Sequence, residues 1–334
     1  MLEDEISTLP HAQSTPGSSI TIRGLTKKYP GSPRPAVDAV DLEINPGEFV
    51  VLLGPSGCGK TTLLKMINRI SEPTSGEVEI DGQNIMNRKP AELRRQIGYV
   101  IQQTGLFPHM TIAANVAVVP NLLSWDKQRT NERINELLTL VDLPPEDYAK
   151  RYPPQLSGGE QQRVGLARAL AVAPPTMLMD EPFGALDAIT RRRLQDELLR
   201  IHKMISQTVV FVTHDIDEAL KLADRIAVMN AGKVVQFDTP LEIVKNPADQ
   251  FVADLVGADD VLRRFSLIAA GDAMDPLPEK VNGVPSISRE VYLREALGVM
   301  AESGAPYVLV TDGDEPIGSL SFDSIQRAAM GTTE

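Results

Sequence analysis

Several short segments of the sequence combine residue types that could bind and cleave a polyphosphate. The first, Gly54–Thr61, reads GPSGCGKT and matches the pattern G-x-x-x-x-G-K-[ST] without a mismatch. Glycines let backbone N–H groups converge on phosphate oxygens, and the start of a following helix adds partial positive charge. The flanking residues read as an apolar strand and a helix, so a phosphate-binding loop is favoured over a chance glycine-rich turn.

Each residue type in this loop has an expected part. We expect the Lys60 ammonium to reach the β- and γ-phosphates and the Thr61 hydroxyl to coordinate Mg²⁺. Cys58 is a small filler or a redox switch, and the filler is favoured because thiol reactivity requires a lowered pKa. The residues predicted to bind the nucleoside triphosphate are Gly54, Pro55, Ser56, Gly57, Cys58, Gly59, Lys60, Thr61 and Thr62.

Two acids end the apolar run Met177–Met179 and form the second segment. We expect Asp180 to hold Mg²⁺ through water and Glu181 to polarise an attacking water as a general base. Alone, an apolar run followed by two acids is weak evidence, because many such pairs are solvated loop starts. Downstream of a phosphate loop, the pair predicts a hydrolytic centre.

Gln102 and His214 each follow an apolar strand pattern, 97–101 and 208–213. In open α/β sheets, ligands bind at the carboxyl ends of the strands. A glutamine amide offers both a donor and an acceptor, which suits water positioning or contact with Mg²⁺. Both residues are therefore predicted to be catalytic, Gln102 also as a metal contact, although His214 could instead be a satisfied surface residue.

These segments require a layered sheet to position them. The continuous apolar run Phe49–Gly54 suits a strand buried on both faces of a parallel sheet. Helix and strand patterns alternate over residues 159–223, and a strand pair joined by Asn-Ala-Gly follows, which favours an α/β fold. In residues 104–155, apolar residues recur every three to four positions, and prolines flank this helical pattern. This predicts a helical subdomain inserted into the sheet domain.

Composition changes along the chain indicate its domains. Residues 1–18 are polar and predict a disordered tail. We place the main domain at 19–256, a linker at 257–271 and a small α+β unit at 272–331. The small unit has the pattern strand, helix, strand, strand, helix. At about 60 residues it is marginal alone and should pair with something.

The bulk composition of the 334 residues excludes several classes of protein. The net charge of −12 disfavours general binding of nucleic acid. Cys58 is the one cysteine, so an internal disulfide is impossible, which fits a reducing compartment. No stretch approaches the roughly 20 apolar residues that span a bilayer, and the N-terminus lacks the apolar core of a signal peptide. We expect a cytoplasmic chain that meets the membrane only through a partner.

The segment Gln155–Arg163 reads QLSGGEQQR and carries a resemblance to a known family. Its Leu156–Gln161 stretch matches the signature motif of ABC proteins, and residues 19–256 resemble the ATP-binding subunits of ABC transporters. The resemblance implies a P-loop NTPase fold, the ABC cassette, with a RecA-like sheet core, an inserted helical subdomain, and ATP and Mg²⁺ as ligands. It also implies that Ser157, Gly158 and Gly159 bind the γ-phosphate of ATP held by a second copy. A serine that opens a helix agrees with an anion site, whereas an ordinary N-cap explains the serine but not the whole string.

The same resemblance assigns further residues. Tyr29 matches the aromatic residue that stacks on adenine, and Asp187 matches the loop that crosses the dimer interface. Gln102 matches the glutamine that links nucleotide to transmembrane subunit, and His214 the switch histidine at the γ-phosphate. Gly184 departs slightly from the family pattern, since many members carry serine at this position. Importer subunits, however, often have glycine there.

The phrases IGYVIQQTGLFPHMTI and MDEPFGALDAITRRRLQ resemble the importers of glycine betaine, proline, choline and related quaternary amines. This implies a homodimer of ATPase subunits on the cytoplasmic face of the inner membrane, permease partners and, indirectly, an external substrate-binding protein. The small unit is similar to a CBS module, but only one module is present and Ser324 stands where the ribose-binding motif has Asp. It is expected to pair with its twin, either tuning activity to ionic strength or only aiding dimerisation.

Three alternatives stay open at this point. The importer could carry a polyamine, a sugar or an amino acid. The chain could be a soluble ABC ATPase of DNA repair or translation, although neither a second cassette nor a long coiled-coil insert is visible. It could also be a sensor with a vestigial ATP site, against which Lys60, Asp180 and Glu181 argue.

Overall fold

The computed structural model describes residues 17–101, 105–278 and 283–330. The chain divides into two compact units after Phe237, whereas the sequence analysis placed the main boundary after residue 256. The expected tail lies outside the described residues except for Gly17 and Ser18, and both of these are packed. The Gly17 N–H donates to the Ser206 carbonyl oxygen at 3.1 Å.

The first unit contains two sheets and a set of helices. Its strands are β1 (Ile20–Lys27), β2 (Val37–Ile44), β3 (Phe49–Leu53), β4 (Ser75–Ile80), β5 (Gln83–Asn84), β6 (Ile97–Val100), β7 (Thr176–Asp180), β8 (Thr208–Thr213), β9 (Arg225–Asn230) and β10 (Lys233–Asp238). Its helices are α1 (Lys60–Ile67), α2 (Pro90–Arg95), α3 (Ile112–Val116), α4 (Val118–Leu122), α5 (Lys127–Leu140), α6 (Pro145–Tyr148), α7 (Gly158–Leu170), α8 (Ala188–Ile205) and α9 (Ile216–Leu222).

The six-stranded sheet has the order β10-β9-β3-β8-β7-β6 and places the candidate site. Its pairs β3–β8, β3–β9, β6–β7 and β7–β8 are parallel. Every residue of β3, β7 and β8 is buried, as expected of strands covered on both faces. In register, Leu53 lies beside Thr213 and Asp180 beside Val212, so the carboxyl ends of these strands meet at one edge.

A second sheet, of order β2-β1-β4-β5, is antiparallel. Its buried face, including Ile20, Val40 and Val78, shares one hydrophobic core with Val50 of β3 and Leu63 of α1. The sequence analysis did not predict this sheet. Register shifts in β1 interrupt the alternation of apolar and polar residues on which strand prediction relies.

The predicted inserted region contains only helices among its described residues, 105–155. Helices α3 to α6 lie here, together with a 3₁₀ turn at Pro153–Gln155. Their buried side chains include Ile112, Leu137 and Leu138. Helix α7 contacts both α3 and α5, so it joins this region to the sheet that it also touches at β6.

The second unit is a small α+β structure. Its elements are α10 (Pro240–Lys245), α11 (Gln250–Val256), α12 (Val261–Phe265), α13 (Ala270–Ala273), β11 (Ser286–Ser288), α14 (Leu293–Ser303), β12 (Tyr307–Asp312), β13 (Glu315–Ser321) and α15 (Phe322–Met330). Strand β12 lies between β11, parallel to it, and β13, antiparallel to it. The segment 257–271, predicted as a linker, contains α12 and buries Phe265 and Ile268 in the core of this unit.

Candidate functional site

The phosphate loop joins β3 to α1 and requires glycine at two positions. Gly54 has φ +155° and Gly59 has φ +113°. A Cβ atom would lie 2.2 Å from the Met229 carbonyl oxygen at Gly54 and 2.3 Å from the Ala36 carbonyl oxygen at Gly59. Both the backbone conformation and the neighbouring carbonyls therefore exclude a larger residue.

Lys60 begins α1 and is 5% exposed. Its ammonium donates to the carbonyl oxygens of Gly54 at 2.5 Å and Pro55 at 3.0 Å, and it lies 3.8 Å from the Cys58 sulfur. The ammonium is thus held inside the loop. The first turn of α1 contains no acidic residue and no side-chain cap, and every residue of it is described. Its N–H groups are consequently available to an anion.

Asp180 ends β7 beside the loop and is 3% exposed. The Thr61 hydroxyl donates to its Oδ1 at 2.8 Å. Burial raises the pKa of the Asp180 carboxyl, while the hydrogen bond from Thr61 and the charges of Lys65 and Lys60 oppose the shift. The two motifs, 119 residues apart in sequence, therefore meet as a hydroxyl–carboxylate oxygen pair.

Glu181 turns the chain at the sheet edge. Its φ is +49°, and its N–H donates to the Val212 carbonyl oxygen at 3.0 Å. Its Oε1 lies 3.3 Å from His214 Nδ1, and the His214 side chain is 60% exposed. A carboxylate and an imidazole in contact at the edge of the phosphate loop can share and move a proton.

His214 is positioned by residues that the sequence analysis missed. Asp215 caps α9 by accepting the N–H groups of Asp217 and Glu218. The Thr213 hydroxyl donates to Glu218 Oε2 at 2.7 Å, and burial raises the pKa of the Glu218 carboxyl. The spacing D-x-x-E at 215–218, typical of a helix start, is the signal that could have found them.

Ser157 caps α7, and its surroundings form a capping box. Its Oγ accepts the Glu160 N–H at 3.3 Å, and Glu160 Oε2 accepts the Ser157 N–H at 2.7 Å. Glu160 also accepts the Tyr148 hydroxyl at 2.7 Å, which lowers the pKa of its carboxyl. Ser157 and Gly158 are exposed. The α7 N-terminus therefore presents its positive end and a serine hydroxyl outward.

Asp187 and Tyr29, two further predicted residues, lie at the surface. Asp187 caps α8 by accepting the N–H groups of Ile189 and Thr190, and the Thr190 N–H lowers the pKa of its carboxyl. Tyr29 is 42% exposed, with the Lys27 ammonium 5.2 Å from its ring centroid. Gln102 lies outside the described residues.

The fold and the loop together define a P-loop nucleotide-binding protein. A parallel sheet carries a glycine-rich phosphate loop after one strand and an acid pair after another. A dimeric post-hydrolysis structure of an ATP-binding cassette bound to ADP and Pi is similar, with a TM-score of 0.62 and 37% sequence identity. The similarity covers 66% of this chain and 98% of that one.

Comparison with known sequences gives the family. The ABC transporter family model matches residues 37–184. The glycine betaine/carnitine/choline transport ATP-binding protein OpuCA of Bacillus subtilis is 50% identical over 88% of this chain and 75% of its own. The osmoprotectant import ATP-binding protein OsmV of Salmonella typhimurium is 48% identical over 93% of this chain and 81% of its own. This chain belongs to the ABC transporter family of ATP-binding subunits.

The predicted family, the cassette fold and the ATPase class are thereby confirmed. The CBS-like nature of the small unit stays a prediction, although β11, α14, β12, β13 and α15 follow one another in the predicted order. Among the described residues, no helix is both long and apolar enough to cross a membrane.

Proposed function

We propose that this chain is the ATP-hydrolysing subunit of an importer for quaternary-amine osmolytes of the glycine betaine, choline and carnitine type. The observation that carries the proposal is the meeting of Lys60, Thr61, Asp180, Glu181 and His214 at one sheet edge. The solute class rests on relatives that are about half identical over most of the chain: two are named for glycine betaine, carnitine or choline transport, and a third is named for osmoprotectant import.

The oxygen pair of Thr61 and Asp180 fits Mg²⁺. Magnesium prefers hard oxygen ligands and usually takes one or two from protein, with water and phosphate completing its shell. A 2.8 Å contact between a hydroxyl and a buried carboxylate supplies that donor set. Thr61, Asp180 and Gln102 would hold the ion, Asp180 through water. When bound, it would neutralise charge on the β- and γ-phosphates.

Different residues of this chain have different roles in hydrolysis. Lys60 exchanges its bonds to the Gly54 and Pro55 carbonyls for bonds to phosphate oxygens, while the loop N–H groups hold the remaining oxygens. Glu181 accepts a proton from the attacking water as the water oxygen bonds to the γ-phosphorus and the bond to the bridging oxygen breaks. His214, in contact with Glu181, orients the carboxylate and contacts the γ-phosphate.

We further propose that two copies act as a head-to-tail homodimer. One chain carries two separate anion-binding helix starts, at α1 and at α7, and the second is exposed. In a symmetric pair, Ser157, Gly158 and Gly159 of one copy close on the triphosphate held by Lys60 of the other, with Asp187 at the interface. A similar solved cassette is described as dimeric in its post-hydrolysis state.

The remaining roles follow from the transport assignment. Tyr29, which is exposed, stacks on adenine. Transmembrane permease subunits take up the motion of the dimer at the cytoplasmic face of the inner membrane. The external substrate-binding protein contributes only indirectly.

Measuring solute uptake in cells tests which solute the importer carries. A strain without this subunit should lose import of labelled glycine betaine or choline at high osmolarity, and the wild-type gene should restore it. Lys60→Ala should not restore it, and the exposed Lys233→Ala is the matched control that should. Normal osmolyte uptake together with lost spermidine uptake would assign the subunit to a polyamine importer instead.

A further inference from the structure

The buried side chain of Gln162 joins two parts of the candidate site. It lies on α7, about one turn after the exposed start at Ser157, and is 4% exposed. Its Nε2 donates to the Glu181 carbonyl oxygen at 3.1 Å, and its Oε1 accepts the Ala185 N–H at 3.1 Å. The Gln162 amide thus forms a hydrogen bond at each end of the turn 181–185, which contains the proposed general base.

This turn requires support at Glu181. A φ of +49° is unfavourable for a residue with a Cβ atom and persists only where its surroundings hold it. The Glu181 N–H is held by the Val212 carbonyl oxygen, and the Glu181 carbonyl oxygen accepts both the Gly184 N–H and the Gln162 amide. Because φ sets the direction of the Cα–Cβ bond, these contacts also aim the carboxylate at His214.

A second contact links the same two parts of the chain. A Cβ atom at Gly159 would lie 3.2 Å from Leu186 Cδ2 and 3.5 Å from the Ala185 carbonyl oxygen. The first turn of α7 therefore packs against the C-terminal end of the turn 181–185 and the adjoining Leu186. A displacement of the α7 start would therefore also displace Glu181. The two are linked by the Gly159 contact and by the two hydrogen bonds of the Gln162 amide.

We propose that Gln162 is a positioning residue that couples the α7 start to the Glu181 carboxylate of the same chain. A triphosphate seated against Ser157 and Gly158 then fixes the alignment of the general base one turn away. Each chain thereby adjusts its own hydrolytic carboxylate to the nucleotide held by its partner. The inference rests on the proposed function, because it takes Glu181 as the base and α7 as a nucleotide contact.

Gln162→Met in the full-length protein tests the proposal. Methionine keeps the approximate length of the side chain and removes both hydrogen bonds. We expect kcat for ATP hydrolysis to fall about 10- to 100-fold, because small misplacements of catalytic groups have effects of this size. The dissociation constant for ATP in the Glu181→Gln background should change less than about threefold, since the phosphate loop is untouched.

Two comparisons separate positioning from a general loss of stability. Leu138→Val perturbs the buried core of α5 and is the stability-matched control, with kcat expected to stay within about twofold of wild type. Adding Gln162→Met to Glu181→Gln should leave the small residual rate unchanged, because the group being positioned is already absent. An additive loss in the double variant, or an unchanged kcat in Gln162→Met, would overturn the coupling. Failure of the proposed function would look different, as wild-type protein without ATPase activity.

Discussion

At the scale of single residues, side-chain contacts bring the motifs of the candidate site together. Lys60 is bonded to two loop carbonyls, Thr61 to Asp180, and Glu181 to His214. Each contact joins residues that the motifs predict to cooperate. In the proposed mechanism, phosphate oxygens replace the two carbonyl oxygens that now accept from Lys60, and the new hydrogen bonds are charge-assisted.

Gly54→Ala tests the shape of the loop. The new Cβ would lie 2.2 Å from the Met229 carbonyl oxygen, at a φ of +155° that alanine disfavours. We expect the free energy of unfolding to fall by more than about 1 kcal/mol and ATP affinity to fall at least tenfold. Urea denaturation and equilibrium binding measure these changes. Gly158→Ala meets nothing within 4 Å, so its stability should be unchanged or higher, and an equal loss in both variants would refute the steric account.

Glu218→Gln tests the electrostatics beside His214. Thr213, Gln195, Arg191 and Asp215 face the Glu218 carboxyl, and burial raises its pKa in the folded state. Folding therefore takes up a proton, and wild-type stability falls as pH rises through the interval between the unfolded and folded pKa values.

The amide variant cannot titrate, so its Tm relative to wild type should be higher at pH 7 than at pH 4. Thermal unfolding at both pH values measures the difference. The exposed Glu132→Gln is the matched control. A Tm difference that is equal at the two pH values, or larger at pH 4, would contradict the burial argument.

At the scale of elements, the sequence predicts what local patterns and motif spacing determine. The strand at Thr208–Thr213 has the predicted bounds, and the strand predicted at 97–101 ends one residue earlier, at Val100. The contact between Thr61 and Asp180 also follows from motifs, since parallel strands bring their carboxyl ends to one edge.

Non-local features could not be predicted in this way. The antiparallel pairing of β1 with β4 joins residues 49 to 60 positions apart, and its register shifts obscure the alternating pattern. The amide bridge of Gln162 across residues 181–185 is visible only once α7 is packed. The positive φ of Glu181 has no signal in its residue type.

Ser324→Asp tests the departure from the CBS-like pattern in the second unit. The buried Ser324 hydroxyl donates to Asp275 Oδ2 at 2.8 Å, and Arg327 pairs with the same carboxylate at 2.7 and 2.9 Å. An aspartate would place a second acceptor and a like charge against Asp275. We expect a loss of about 1–3 kcal/mol in the stability of this unit, measured by urea denaturation. The exposed Ser286→Asp should have little effect, and a stable Ser324→Asp would show that the hydroxyl contact matters little.

At the scale of the whole molecule, the proposed mechanism requires two copies of the chain. Lys60 and Ser157 each stand at the start of a helix, and the second start is exposed, with its hydroxyl bonded only locally among the contacts described here. The proposed joint binding of one triphosphate by both helix starts would account for the two glycine-containing helix starts of a single chain. It would also make nucleotide the ligand that stabilises the closed dimer.

A structure of Glu181→Gln with ATP and Mg²⁺ tests this claim most directly. The variant should bind ATP, stop turning over and accumulate as a dimer by light scattering. In that dimer, we predict the Ser157 hydroxyl of one copy within about 3 Å of the γ-phosphate bound by Lys60 of the other. An ATP-saturated monomer, or a dimer in which Ser157 faces solvent away from nucleotide, would contradict it.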